Sequence, residues 1–205
     1  MQPPINIESV KGFLSAEEGA TLYELCLETC GIGPALEIGS YCGKSTVYLG
    51  QACKEANSTL FALDHHRGSE EHQLGEEYHD PELYDSDVGK MDTFKLFRDT
   101  VSRAQLDDHV VPLVAPSAVV ARNWQTPLGM VFIDGGHSLE AAQTDYGCWS
   151  VHVAPRGILA IHDLFPDPST GGQAPMTIWR EALASDLFED VGVVGTLGVL
   201  RRRHS

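Results

Sequence analysis

Residues 35 to 64 constrain the fold of this chain more than any other stretch. A short apolar run, Ala35 to Ile38, reads as a buried strand, and it breaks at Gly39 into a tight turn that opens a helix near Gly43. A second apolar run closes on Asp64. Together these predict the first strand, turn, helix and strand of an open α/β sheet. Glycine at 39 lets the backbone turn sharply and lets a ligand approach it, while the unpaired N–H groups of a helix start offer that ligand donors. Spacing excludes two kinds of phosphate site. A P-loop ending in Gly43-Lys44-Ser45 requires glycine at 38, where the chain has Ile38; a dinucleotide fingerprint starting at Gly39 requires glycine at 41, where Tyr41 stands.

What remains is Glu37, Gly39 and Gly43 spaced as E-x-G-x-x-x-G, followed by Asp64 at the end of the second strand. This resembles the S-adenosylmethionine-binding motif of class I methyltransferases. The resemblance implies a Rossmann-like seven-stranded sheet with helices on both faces. It places Gly39 under the cofactor and gives Asp64 the ribose hydroxyls, paired donors that suit one acidic acceptor. Glu37, Ser40, Ser45, Ser117 and Asp134 join them as cofactor-side residues by the same likeness. The competing interpretation is an ordinary βαβ unit whose turn only caps a helix.

The 14 basic and 29 acidic residues leave a net charge of -15, which repels phosphate backbones and excludes nucleic acid and anionic membranes as broad partners. Cys26, Cys30, Cys42, Cys53 and Cys148 form no C-x-x-C pair and are odd in number, so they are expected as reduced thiols. Cys26 and Cys30, four apart, read as helix-face packing rather than a metal site. With no basic leader and no run of membrane-spanning length, a cytoplasmic location is expected.

The rest of the chain reads as one domain over residues 1–205. Ser15 and Glu18 make a capping box for a helix ending near Cys30-Gly31. A helix runs from about Gly43 to Ala56, and Asp92 caps another that carries Phe94, Phe97, Val101 and Ala104. His109 to Ala115 reads as a strand whose Pro112 marks a sheet edge. Met130 to Asp134 and Gly157 to Asp163 read as further strands, with helices from Ser138 and from Pro175 to Leu183. An antiparallel hairpin, Phe188–Val194 and Leu197–Arg202, turns about Gly195-Thr196. Between His65 and Asp92 periodicity stops: nine acidic residues face only Arg67 and Lys90, with four histidines among them. A loop this long inside a domain predicts a lid over the substrate.

A second constellation lies where strands end, Asp134-Gly-Gly-His137 and His162-Asp163. Ligands of open α/β sheets bind at that edge, and carboxylate-rich groups there suit Mg²⁺. Phe132 to Glu140, Asp145, Trp149 and Ile161 to Asp163 resemble the metal-dependent sugar and small-molecule O-methyltransferases, which include macrolide-sugar and novobiocin-sugar enzymes. By that resemblance Asp134 and Asp163 bind Mg²⁺ and His137 is the general base. His162 stands where the family has an acidic residue, and it is carried as a third candidate ligand. The stretches Asp64 to His72, Tyr78 to Pro81 and His162 to Pro168 are similar to the actinobacterial group of methylmannose polysaccharide 1-O-methyltransferases. That likeness implies a small sugar or oligosaccharide acceptor, methylated on the 1-hydroxyl of a 3-O-methylated mannoside. Tyr78, Tyr84 and Trp124 are candidates for stacking on sugar rings or for ordinary packing. The alternatives are a catechol or phenol O-methyltransferase and a non-catalytic cofactor-binding subunit; whether the chain forms a homodimer is left open.

Overall fold

A computed structural model describes residues 2–68, 80–87, 89–136 and 138–204. The elements in chain order are α1 (Ala16–Thr29), β1 (Ala35–Ile38), α2 (Lys44–Glu55), β2 (Leu60–Leu63), β3 (Tyr84–Asp85), β4 (Lys90–Met91) and α3 (Phe94–Arg103). There follow β5 (Val110–Leu113), α4 (Ser117–Ala121), β6 (Leu128–Ile133), α5 (Leu139–Trp149), β7 (Val153–Ile161), α6 (Ala174–Ala184), β8 (Phe188–Val194) and β9 (Leu197–Arg202). Seven strands form one sheet in the order β5-β2-β1-β6-β7-β9-β8. The first five of that order run parallel, and β9 and β8 close it antiparallel. This is the seven-stranded Rossmann-like sheet that the motif's resemblance implies, with the hairpin turning where Gly195-Thr196 predicts.

Strand residues alternate between two cores, as a sheet covered on both faces requires. Met130 and Phe132 of β6 and Ile158 and Ala160 of β7 pack with Leu22, Val47 and Phe97 from α1, α2 and α3. Val131, Ile133, Leu159 and Ile161 face Trp149 and Ile178 of α5 and α6. The parallel strands therefore point their C-terminal ends at one common edge.

Local chemistry accounts for the boundaries. The Ser15 hydroxyl accepts from the Glu18 N–H, and the Glu18 carboxylate accepts from the Ser15 N–H at 3.0 Å, so both halves of the capping box form. Asp92 lies one residue outside its expected place: Thr93 is the N-cap of α3, and Asp92 accepts the Phe94 N–H at 3.0 Å. Pro112 sits in β5 at the sheet edge, where a missing N–H costs no ladder bond. Strand β7 starts at Val153, four residues before its expected start, and a register shift between Leu128 and Met130 of β6 accompanies it. Pro155 and Gly157 hide that extension from the sequence pattern. Helix α4 also escapes the pattern, being only five residues long.

The described part of the 65–92 segment is anchored. Residues 81–83 form a 3-10 turn, β3 pairs with β4, and Leu83 and Met91 bury against Cys42. Lys11 pairs with Asp80 and Glu82. The rest of the expected lid, residues 69–79 and 88, lies outside the described residues, and Tyr78 with it. No helix among the described residues is long and apolar enough to cross a membrane.

Candidate active site

The turn after β1 is built by close approach. Gly39 has φ +89°, and a Cβ there would lie 2.0 Å from the Asp134 carbonyl oxygen, so only glycine lets the ends of β1 and β6 lie this close. Tyr41 also has positive φ, +45°, and its N–H donates to the Asp64 carboxylate at 2.9 Å. The other Asp64 oxygen accepts the His66 N–H at 2.7 Å. Asp64 thus fixes the turn from the end of β2 while its carboxylate stays partly open to solvent.

Glu37 and Ser45 lie beneath this turn, not on its open side. Glu37 is fully buried and accepts hydroxyl donors from Ser45 at 2.5 Å and Thr46 at 2.6 Å, tying β1 to the first turn of α2. Burial pushes its carboxyl up to about 7 against the opposing pull of those two donors. Ser40 is different. Its hydroxyl is buried and has no hydrogen-bond partner among the described residues, a cost on the order of 1–3 kcal/mol that a polar ligand in the turn would relieve. Ser117 opens α4, where its oxygen accepts the Trp149 indole N–H at 2.7 Å and its hydroxyl meets Asp145. Burial raises Asp145 to about 6, and its carboxylate sits against Gly135, where a Cβ would lie 2.6 Å from it.

The second cluster forms where β6 and β7 end side by side. Asp134, His162 and Asp163 bring one ligand atom each within 4.8 Å of one another. The imidazole Nδ1 lies 3.1 Å from the Asp134 carboxylate and 3.4 Å from that of Asp163, which the positive φ of Asp163, +59°, helps to present. Nε2 faces the other way, 3.5 Å from the Glu18 carboxylate and 3.4 Å from the Thr196 hydroxyl. Burial pulls His162 down, but the Asp134 hydrogen bond and the surrounding carboxylates outweigh it and raise the ring to about 9. A divalent cation fits this donor set: a neutral ring with its proton on Nε2, toward Glu18, aims the Nδ1 lone pair between the two carboxylates. Two carboxylates and one imidazole suit Mn²⁺ as well as Mg²⁺.

Sequence reasoning reads Glu18 only as a helix cap. Its carboxylate also accepts from the Thr196 N–H at 2.8 Å and the Thr196 hydroxyl at 2.9 Å, and these donors with those of Ser15 overcome the opposing effect of burial and bring it down to about 2. Nothing in the spacing of Glu18 and Thr196, 178 residues apart, signals the contact. Trp124 makes T-shaped contacts with Phe61 and Trp149 and donates its N–H to the Thr126 carbonyl, so aromatic packing engages it. His137 lies outside the described residues.

Comparison with known proteins agrees with this architecture. The O-methyltransferase NovP superposes with a TM-score of 0.71 at 13% identity, over 92% of this chain and 80% of that one. TomG from Streptomyces achromogenes, an O-methyltransferase of tomaymycin synthesis solved with SAM, gives 0.64 at 16% identity over 94% of this chain and 82% of its own. An O-methyltransferase from Bacillus cereus in complex with SAH gives 0.63 at 17% identity, over 94% and 83%. At such identities the likeness is one of fold. The profile of a methyltransferase domain matches residues 36–164, more than half of the chain and the span holding both clusters, and the chain belongs to that family.

Proposed function

We propose that this protein is an S-adenosylmethionine-dependent O-methyltransferase that acts on a hydroxyl of a small sugar with the help of a divalent cation. The observation that carries this reading is the meeting of Asp134, His162 and Asp163 at the strand edge beside the Gly39 turn. TomG with SAM and the Bacillus cereus protein with SAH support the cofactor. The polar character of the 65–92 segment supports a sugar over a flat phenol, and the proposed acceptor is the 1-hydroxyl of a 3-O-methylated mannoside.

In this reading Asp64 takes the ribose hydroxyls, Ser40 gains a partner for its buried hydroxyl, and Gly39, by letting the ends of β1 and β6 meet, shapes the turn that lies under the cofactor. S-adenosylmethionine supplies the methyl sulfonium electrophile. Asp134, His162 and Asp163 hold the cation, Mg²⁺ in the first instance, with Glu18 and Thr196 orienting the imidazole from behind. A cation bound there acts as a Lewis acid on the acceptor hydroxyl, a poor nucleophile at neutral pH. His137, three residues after Asp134, accepts the hydroxyl proton. Residues from four strand ends thereby position both partners of one displacement.

The test is methyl transfer from S-adenosylmethionine to partly methylated mannosides and to catechols, each with Mg²⁺ and with EDTA. Methylated mannoside formed only with Mg²⁺ is the expected result. Catechol turnover would retain the chemistry and discard the sugar. Cofactor binding with no product from any acceptor would sink the reading in favour of a binding subunit.

A further inference from the structure

At the opposite end of the sheet from the carboxylates, three of the five cysteines converge. Cys26 near the end of α1, Cys30 at its C-cap and Cys53 in the last turn of α2 bring their sulfurs within 4.8 Å of one another. The Cys26 and Cys53 sulfurs are 3.7 Å apart, and both residues are fully buried. Sulfurs bound to one tetrahedral ion at about 2.3 Å lie about 3.8 Å apart. The pair already has that spacing. Cys30 is half-buried and lines a surface hollow of about 360 Å³ at the starts of β1 and β2, shared with Gly33, Pro34, Ser58 and Thr59. An ion therefore has a way in, and its fourth position faces that hollow.

Electrostatics at this corner also favour a cation. Two helix C-termini meet here, and the negative ends of their dipoles face this corner. Bare thiolates gain nothing from such surroundings, whereas a cation held by them does. The three thiols share their hydrogen bonds: Cys30 is held below its usual range while Cys26 and Cys53 are raised above theirs, so the trio gives up one proton ahead of the other two.

We propose that Cys26, Cys30 and Cys53 form a three-thiolate site for a thiophilic d¹⁰ cation of the Zn²⁺ type. Binding forms three metal–sulfur bonds, and each thiol that ligates releases its proton to solvent. The site pins α1 to α2 and is independent of methyl transfer.

The experiment titrates reduced, metal-free full-length protein with Cd²⁺ and follows the ultraviolet sulfur-to-cadmium charge-transfer band, to which the carboxylate and imidazole cluster contributes nothing. Wild type, Cys30→Ser, and a Cys42→Ser/Cys148→Ser double variant are compared; Cys30 is chosen because its half-exposed position spares the core. The expected result is a band saturating at one cadmium per chain in wild type and in the double variant, with apparent affinity at least tenfold weaker in Cys30→Ser. In wild type, Zn²⁺ displaces the cadmium and slows iodoacetamide alkylation of Cys30. Absence of the band in wild type, a band unchanged in Cys30→Ser, or alkylation indifferent to zinc overturns the proposal.

Discussion

At position 37 burial and ionisation oppose each other. Glu37 has a carboxyl raised to about 7 from 4.5, so the folded protein holds that proton more tightly than the unfolded chain does. Its contribution to stability is fully present below pH 4.5 and is lost as the pH rises to about 7. Glu37→Gln removes this dependence, at the constant cost of one altered hydroxyl contact. Urea melts across that window are expected to show the variant gaining on wild type by on the order of 3 kcal/mol, and a gap that does not change with pH contradicts the assignment. Asp64 presents a separate case, because its carboxylate both closes the turn through Tyr41 and His66 and faces the proposed ribose site. Asp64→Ala is expected to weaken S-adenosylmethionine binding by about tenfold or more in calorimetry, the worth of one to two charge-assisted hydrogen bonds. Single residues of the glycine turn were legible because their spacing is local. The inward aim of Glu37 was not, since it depends on Ser45 and Thr46 arriving from the next helix.

Elements were legible wherever one residue class repeats at one period. The capping box of α1, the edge proline of β5 and the terminal hairpin stand where Ser15 and Glu18, Pro112 and Gly195-Thr196 put them. Contacts between elements left no such trace. Helix α1 looks like scaffold in sequence, yet through Glu18 it reaches the Thr196 turn and the back of His162. If that carboxylate fixes the ring for a cation, Glu18→Gln weakens Mn²⁺ binding, read from the free-ion electron paramagnetic resonance signal, by about 10- to 100-fold. Ser15→Ala removes the cap and spares the imidazole contact, so it is expected to lower the melting temperature with Mn²⁺ affinity kept. Equal affinity in both variants would leave Glu18 with a purely structural role.

On the scale of the whole molecule, a net charge of -15 sets the carboxylate edge in a negative field. Self-repulsion of this kind is screened by salt, and the melting temperature is expected to rise between about 0.01 M and about 0.15 M NaCl, over which the Debye length falls from about 30 Å to about 8 Å. A flat profile would mean that opposite charges are already well interleaved.

The match to the methyltransferase domain runs from residue 36 to residue 164, which leaves α1 before it and the β8–β9 hairpin after it. Those two outlying segments meet at His162, one supplying Glu18 and the other Thr196. A shortened protein trimmed to the matched span would keep Asp134, His162 and Asp163 in sequence while stripping away Glu18 and Thr196, the two polar groups beside Nε2 of the ring. For an engineer transplanting this chemistry, the unit to move is therefore the span together with its two flanks.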